Sequence, residues 1–280
     1  MSTMNVEIMR LRQGRIASTM TIILIIATFL VATLEAFARD TINALISLNR
    51  VIPNATQAQS MSPEDLAKLS LDQPGLQLTA AANAGGVGGV SPAALAMMIM
   101  GGLFITREYH FASMTSAAVA LSRRGQLYRN KCAAAALASF VAAFGLTAVR
   151  LLVLFTALAV QRINLALDPF ALVMSELRGL VTLVLCGVLG AGLGFLLRRQ
   201  TVLLLLLGGL FVVESTFRSL ATLTGADILH GCLPLSATGL STQPGAQGWL
   251  AAGIVVAWSA IVVTWGAFCF NRRELTFSAL

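Results

Sequence analysis

Six long apolar segments dominate the sequence and limit what the chain can fold into. Each has about the 20 residues or more that a helix needs to cross the hydrocarbon core of a bilayer. In such a core only helices and closed barrels satisfy their own backbone hydrogen bonds. We therefore predict an all-α integral membrane protein, one polytopic domain over residues 1–280. The six predicted spans are Ile16–Ala38, Val87–Thr106, Cys132–Val160, Gly179–Leu197, Thr201–Leu223 and Trp249–Phe270.

Composition supports a membrane protein rather than a nucleic-acid-binding one. The chain is 57% hydrophobic and 11% charged, whereas soluble domains have about 25% charged residues. The net charge of +7 comes from basic residues in the connections, so we expect no nucleic-acid partner. The four cysteines lack metal-ligand spacing, and we expect no metal site. The first span could also be a signal peptide ending near Ala36-Phe37-Ala38, although its apolar run is longer than usual.

The basic residues predict the orientation of the spans. Twelve lie in alternate connections and tails, and five lie on the opposite side. Cytoplasmic connections carry the excess of Lys and Arg, so both termini should be cytoplasmic. The segments named by this topology are a cytoplasmic N-terminal segment (1–15), an external loop (39–86), a cytoplasmic loop (107–131) and an external, partly re-entrant segment (224–248). The five basic residues assigned outside are Arg39, Arg50, Lys68, Arg162 and Arg178.

The external loop 39–86 has helix signals of its own. Ser62 followed by Pro63 resembles an N-cap and a first-turn proline, and two acidic residues follow them. That helix should stop by Asp72–Gly75. The alternative is a loop without regular structure, and we favour a small helical cap.

The cytoplasmic loop 107–131 contains an amphipathic pattern. Met114, Ala117, Ala118 and Leu121 fall on one helical face. Only a few basic residues in this loop are needed to orient the spans. An additional amphipathic helix therefore indicates that the loop contacts another protein or the membrane surface. The alternative to a protein partner is a helix that rests on anionic lipid.

The same loop contains a recognisable series of residues, namely Glu108, Tyr109, Ser113, Thr115, Arg123, Arg124 and Lys131. Further along the chain stand "GVLGAGLGFLLRRQTVLLLLL", "VVES" and "CLPLSA". In these features the chain resembles ABC type-2 permeases, the membrane subunits of certain ABC exporters, especially actinobacterial ones. The cytoplasmic loops of that family often read E-[FY]-R-H-G-T-I-T, then P-R-R and a lysine. This sequence departs from that pattern at His110, Phe111, Ala112 and Leu121.

The resemblance implies a fold, a partner and a location. A coupling helix, here Glu108–Leu121, would dock on a separate ATPase chain that holds ATP and Mg²⁺, so no cofactor is expected on this chain. A dimer of permeases, formed with a second copy or a paralogue, would sit in a bacterial cytoplasmic membrane. Substrates of the family range from drugs and peptides to lipids and polysaccharides. The residues implied in coupling are Glu108, Tyr109, Ser113, Met114, Thr115, Leu121, Arg123 and Arg124.

Two further groups of residues stand out within the predicted spans. Four ionisable residues, Glu35, Arg150, Glu214 and Arg218, are costly in lipid. Glu214 and Arg218 have the spacing of a same-helix ion pair, with the other two reaching headgroups. The sharper hypothesis is one polar layer that closes the external end of a transport path. Small residues that favour close helix packing are Gly187, Gly190, Ala191 and Gly194.

Other function classes remain as alternatives. The sequence has no phosphate-binding loop and none of the HExxH, GxSxG or SxxK motifs, and it indicates no catalytic residue. An ATP-independent secondary transporter would place ionisable residues centrally in several spans. A membrane-anchored signalling protein would instead bind a partner through its external loop.

Overall fold

The computed structural model describes residues 15–37, 71–84, 90–110, 124–224 and 231–272. Over these ranges the chain forms helices joined by turns, with no strand, so the all-α prediction is confirmed there. In chain order the helices are α1 (Arg15–Ala36), α2 (Pro74–Ala81), α3 (Pro92–His110), α4 (Arg124–Gln161), α5 (Pro169–Leu197), α6 (Gln200–Thr224), α7 (Pro234–Ser241) and α8 (Ala246–Arg272). Four of them, α4, α5, α6 and α8, are long and apolar enough to cross a membrane.

Prolines mark where several helices begin. Four of the seven prolines open a helix, namely those at the start of α2, α3, α5 and α7. Proline suits the first turn because its φ is already helical and it has no N–H to satisfy. Two of these helices also have a side-chain cap. Asp168 accepts a hydrogen bond from the N–H of Phe170 at 3.3 Å, and the Ser91 hydroxyl accepts one from the N–H of Ala94 at 3.1 Å.

The cap at Asp168 explains one predicted boundary that differs from the structure. α5 begins at Pro169 rather than Gly179, so Arg178, assigned to an external connection, lies inside a helix and is buried. The helix predicted from Ser62 lies mostly outside the described residues. Residues 71–73 are not helical, and a helix that was not predicted, α2, begins at Pro74.

α5 lies at the centre of the bundle and packs against α3, α4 and α8. Its contact with α3 is made by glycines, with one backbone directly against the other. A side chain at Gly190 would collide with the carbonyl of Met98, and one at Gly101 of α3 would collide with the carbonyl of Gly187. All four predicted packing residues, Gly187, Gly190, Ala191 and Gly194, are buried on this helix.

α6 is packed much more loosely than α5. In the most apolar 18-residue stretch of α6, 17% of the residues are buried, compared with 56% in the corresponding stretch of α5. Leu203 and Leu207 face the bundle, whereas Leu205 and Val212 are largely exposed. Gly208 in the middle of α6 faces open space. α6 therefore directs most of its apolar surface away from the described bundle.

The α3–α5 contact predicts a difference between two glycine substitutions. Gly190→Ala should lower stability by about 1–3 kcal/mol, because a methyl group has no room against the α3 backbone. Gly208→Ala is the matched control, since open space surrounds it and alanine favours a helix by up to about 1 kcal/mol. Thermal unfolding of the purified chain in detergent measures both. Equal effects of the two substitutions would contradict a backbone-to-backbone contact.

Candidate functional site

Buried charges gather in three clusters. The first, the Lys131 junction, joins the end of α3 to the start of α4. Nζ of Lys131 donates to Oε1 of Glu108 at 2.5 Å, and the lysine side chain is completely buried while that of the glutamate is 15% exposed. The same Nζ lies 5.8 Å from the centre of the Phe104 ring. The carboxylate and the ring face together offset part of the cost of taking the ammonium out of water.

Aromatic rings extend the Lys131 junction to two more helices. Tyr128 of α4 lies 4.5 Å from Phe195 of α5 and 6.0 Å from Phe270 of α8, measured between ring centres. The hydroxyl of Tyr128 donates to the carbonyl of Val263 on α8 at 2.7 Å. Tyr109 of α3 meets Phe195 edge to face. Four helix ends are thus fixed to one another.

The junction also changes the interpretation of the predicted coupling residues. Glu108 and Tyr109 lie at the end of α3. Glu108 contacts α4 and Tyr109 contacts α5. Arg124 is the first residue of α4. Five other residues of the predicted set, Ser113, Met114, Thr115, Leu121 and Arg123, lie outside the described residues. Because α3 ends at His110 and α4 begins at Arg124, the Lys131 junction forms the base of the 111–123 segment.

The second cluster, the Arg150 cluster, contains two of the predicted intramembrane charges. Arg150 of α4 donates to Oε2 of Glu35 on α1 at 3.1 Å. The same nitrogen, Nη1, points toward the carbonyls of Thr79 and Ala80 in α2, each at 3.4 Å. Arg150 therefore ties three helices together, and the interpretation in which it reaches lipid headgroups is wrong.

Glu176 of α5 belongs to the Arg150 cluster and was missed by sequence reasoning. The predicted span began three residues later, at Gly179, which assigned this acid to a connection. Its side chain is buried, and neither carboxyl oxygen accepts a well-formed hydrogen bond from the described residues, although the backbone N–H of Asn83 lies near the carboxyl group. Asn83 lies beside it, because its amide donates to the Glu176 carbonyl at 3.1 Å and to the Thr147 hydroxyl at 2.5 Å. Gly179 leaves the room that Asn83 occupies.

The third cluster, the α7 clamp, is built around Glu214 of α6. Its carboxylate is fully buried and accepts three hydrogen bonds. Oε1 accepts from the N–H of Leu235 at 3.2 Å, and Oε2 accepts from the N–H and the hydroxyl of Ser236 at 2.7 and 2.8 Å. Leu233, at the N-cap position, has no side chain that could do this. A carboxylate from another helix therefore caps α7 and meets the positive end of its dipole.

α7 lies deep between its neighbours. Glu214 is ten residues before the C-terminal end of α6. The start of α7, which Glu214 contacts, therefore lies roughly 15 Å from that end, measured along the axis of α6. Nε1 of Trp258, in the middle of α8, donates to the carbonyl of Cys232 at 2.9 Å. After α7, Arg178 donates to the carbonyl of Gln243 at 3.0 Å. The part of this connection that the structure describes, residues 231–245, therefore packs within the bundle.

Arg218 does not join Glu214. The acceptor atoms of Glu214 are occupied by α7 donors, and the buried Nη1 of Arg218 has no hydrogen-bond partner among the described residues. The same-helix ion pair is therefore wrong. Glu35 and Arg150 meet directly, but no hydrogen bond or ion pair in the described ranges links them to Glu214. Three of the four predicted charges therefore belong to two separate clusters, Glu35 and Arg150 to one and Glu214 to the other, rather than to one connected layer.

The function is identified neither by a metal site among the described residues nor by similarity to known proteins. Within the described part of the chain, no group of three or more His, Cys, Asp or Glu side chains could hold a metal ion. Comparisons with models of protein families and with curated proteins find no match to the chain. Function must therefore be inferred from the residues and contacts of the three clusters.

The Lys131 junction predicts an asymmetry between its two partners. Glu108→Leu strands a fully buried ammonium and should cost about 3–5 kcal/mol of stability. Lys131→Met should cost less, because the partly exposed glutamate can turn toward water. The double variant should approach the wild-type stability, since an apolar pair can replace a buried ion pair. Unfolding in detergent tests all three, and a double variant as unstable as Glu108→Leu would contradict the pairing.

The α7 clamp predicts coupled effects of two substitutions. Glu214→Gln removes the charge and one acceptor oxygen, and should destabilise the chain by about 1–3 kcal/mol through an unsatisfied N–H. Ser236→Ala removes one hydroxyl bond and should cost about 0.5–1.5 kcal/mol. Because both act on one carboxylate, the double variant should lose at least ~0.5 kcal/mol less than the sum. Strict additivity in thermal unfolding would show that the contact contributes nothing.

Proposed function

We propose that this chain is the membrane-spanning permease subunit of an ABC exporter. It would move a substrate outward with energy from ATP that a separate ATPase chain binds, with Mg²⁺, and hydrolyses. The proposal joins the resemblance of the 107–131 loop to the four membrane-length helices of the structure. It includes six spans with both termini in the cytoplasm of a bacterial cell, and a dimer with a second permease.

The Lys131 junction is the observation that carries the proposal. A loop that receives force from a partner must be anchored to the parts that move, and a flexible attachment would absorb the motion. The 111–123 segment is attached at both ends to helices that Lys131 and Glu108 lock together. Tyr128, Phe195 and Phe270 extend that lock to α5 and α8. A push on the segment would therefore reach the centre of the bundle.

The unequal packing of the helices also supports a moving permease. The loosely packed α6 has an exposed apolar face, which in the proposed dimer would face lipid or the second permease. Its buried side is attached to α7 through Glu214. Movement of the central helices against α6 would therefore be transmitted to α7.

An ATP-independent transporter driven by an ion gradient is the second candidate. The observation in its favour is the Arg150 cluster, since Glu35, Arg150 and Glu176 place three ionisable groups among four packed helices. Buried ionisable residues in spanning helices commonly mark ion or proton pathways. The two candidates differ in whether an ATPase chain binds the 111–123 segment.

Binding of a cognate ABC ATPase tests the proposal. The full chain should co-purify with an ABC ATPase of the same organism, and the pair should hydrolyse ATP faster than the ATPase alone. Arg123→Glu should weaken co-purification more than about tenfold, because an interfacial charge would be reversed. Arg199→Glu is the matched control, since this exposed arginine lies in the short turn between α5 and α6. Failure of every such ATPase to bind the wild-type chain would favour the second candidate.

A further inference from the structure

Glu176 is the one carboxyl group in the described chain whose two oxygens are both buried without a hydrogen bond. Its side chain lies within α5 and is 5% exposed. An ionised carboxylate in such a place would have lost its water with only the backbone N–H of Asn83 nearby and no well-formed hydrogen bond in return, which is unfavourable. The surroundings of the side chain in this structure therefore do not stabilise its ionised form.

Arg150 is the cation that acts on Glu176, and it is already engaged. Its Nη1 donates to Glu35 and points at two carbonyls of α2. Its Nε, by contrast, is buried and has no acceptor among the described residues. An unused donor of Arg150 and the unused acceptors of Glu176 thus lie in one buried cluster. The guanidinium has two possible carboxyl partners and in this structure binds one of them.

Among the described residues, Arg150 is the one charged group that acts on Glu176. α2, α7 and the first half of α8 have no ionisable side chain. Arg178, on the same helix, directs its guanidinium to the carbonyls of Gln243 and Gly245. Asn83 uses its side-chain N–H groups on Thr147 and on the backbone carbonyl of Glu176, and its backbone N–H is the neutral donor near the carboxyl group. The charge that Glu176 meets in this part of the chain therefore comes from Arg150, which is itself bound to Glu35.

We propose that Glu176 is a proton-binding site whose occupancy decides which carboxyl group Arg150 binds. With a proton on one carboxyl oxygen the side chain is neutral, and Arg150 stays with Glu35, as in this structure. When that proton leaves to solvent, the carboxylate accepts hydrogen bonds from Arg150, and the bond to Glu35 is weakened. The exchange would loosen α1 from α4, which Glu35 and Arg150 join. A metal cation is a poorer occupant, because the adjacent guanidinium repels it. The site does not require an ATPase partner.

Glu176→Gln and Glu35→Gln are the two variants that test the site. Glutamine resembles a protonated glutamate in shape and charge, so Glu176→Gln should unfold at the wild-type temperature or higher at neutral pH. Glu35→Gln, the matched control in the same cluster, removes a made ion pair and should unfold at a lower temperature. The advantage of Glu176→Gln over the wild type should grow as the pH rises, because only the wild type must then bury an anion or keep a proton that its unfolded form has released.

Infrared spectra of the full chain in detergent give a direct readout. The wild type at neutral pH should show a carbonyl band of a protonated carboxylic acid that disappears at alkaline pH. Glu176→Gln should lose that band, and Glu35→Gln should keep it. If Glu176→Gln keeps the band, or destabilises the chain as much as Glu35→Gln does, the proton site is overturned. A band or stability that responds to sodium in place of choline at constant pH would also overturn it, in favour of a metal cation.

Discussion

The close backbone contact between α3 and α5 is the constraint on which the rest of the structure depends. Glycines on both helices leave no side chain between them, so the helices can approach to the distance of their backbones. α5 then has its remaining faces free for α4 and α8, and it carries Glu176, Arg178 and Phe195 into the three regions described above. A single larger residue in this contact would displace all of them together.

Several buried charges are paired with a group from another helix. Lys131 is paired with Glu108, Arg150 with Glu35, and the N–H groups at the start of α7 with Glu214. Such pairing contributes little net stability compared with apolar packing, but loss of one partner is costly. These pairs therefore specify which helices are neighbours and how far along their axes they meet. Neither carboxyl oxygen of Glu176 has such a pair among the described residues, and for that reason this side chain attracts a functional explanation.

The sequence predicted the elements better than their partners. Apolar length was enough to find the long helices but not the short α2 and α7, and the small residues around Gly190 were correctly assigned to a helix, where the structure buries them. Hydropathy alone placed the start of α5 ten residues late, although Asp168 followed by Pro169 is a local capping signal that could have corrected it. That error hid Glu176 and misplaced Arg178. The spacing of Glu214 and Arg218 suggested a local pair, but two backbone N–H groups of α7 compete for the same carboxylate. A partner that lies 21 or 22 residues away in the sequence cannot be predicted from helical periodicity.

The cap of α7 has a consequence for how the chain is assembled during its synthesis. A short helix of eight residues without its own N-cap is unstable alone, and the carboxylate that caps it belongs to α6. The ribosome delivers α6 first, so Glu214 is already present when Pro234 emerges, and so are Ser91 and Thr182, which also contact α7. Trp258 is synthesised last, and its Nε1 then donates a hydrogen bond to the Cys232 carbonyl. Translation in the natural order therefore presents α7 with nearly all of its partners at once, whereas a circular permutant that begins at α7 would release this segment before anything could hold it.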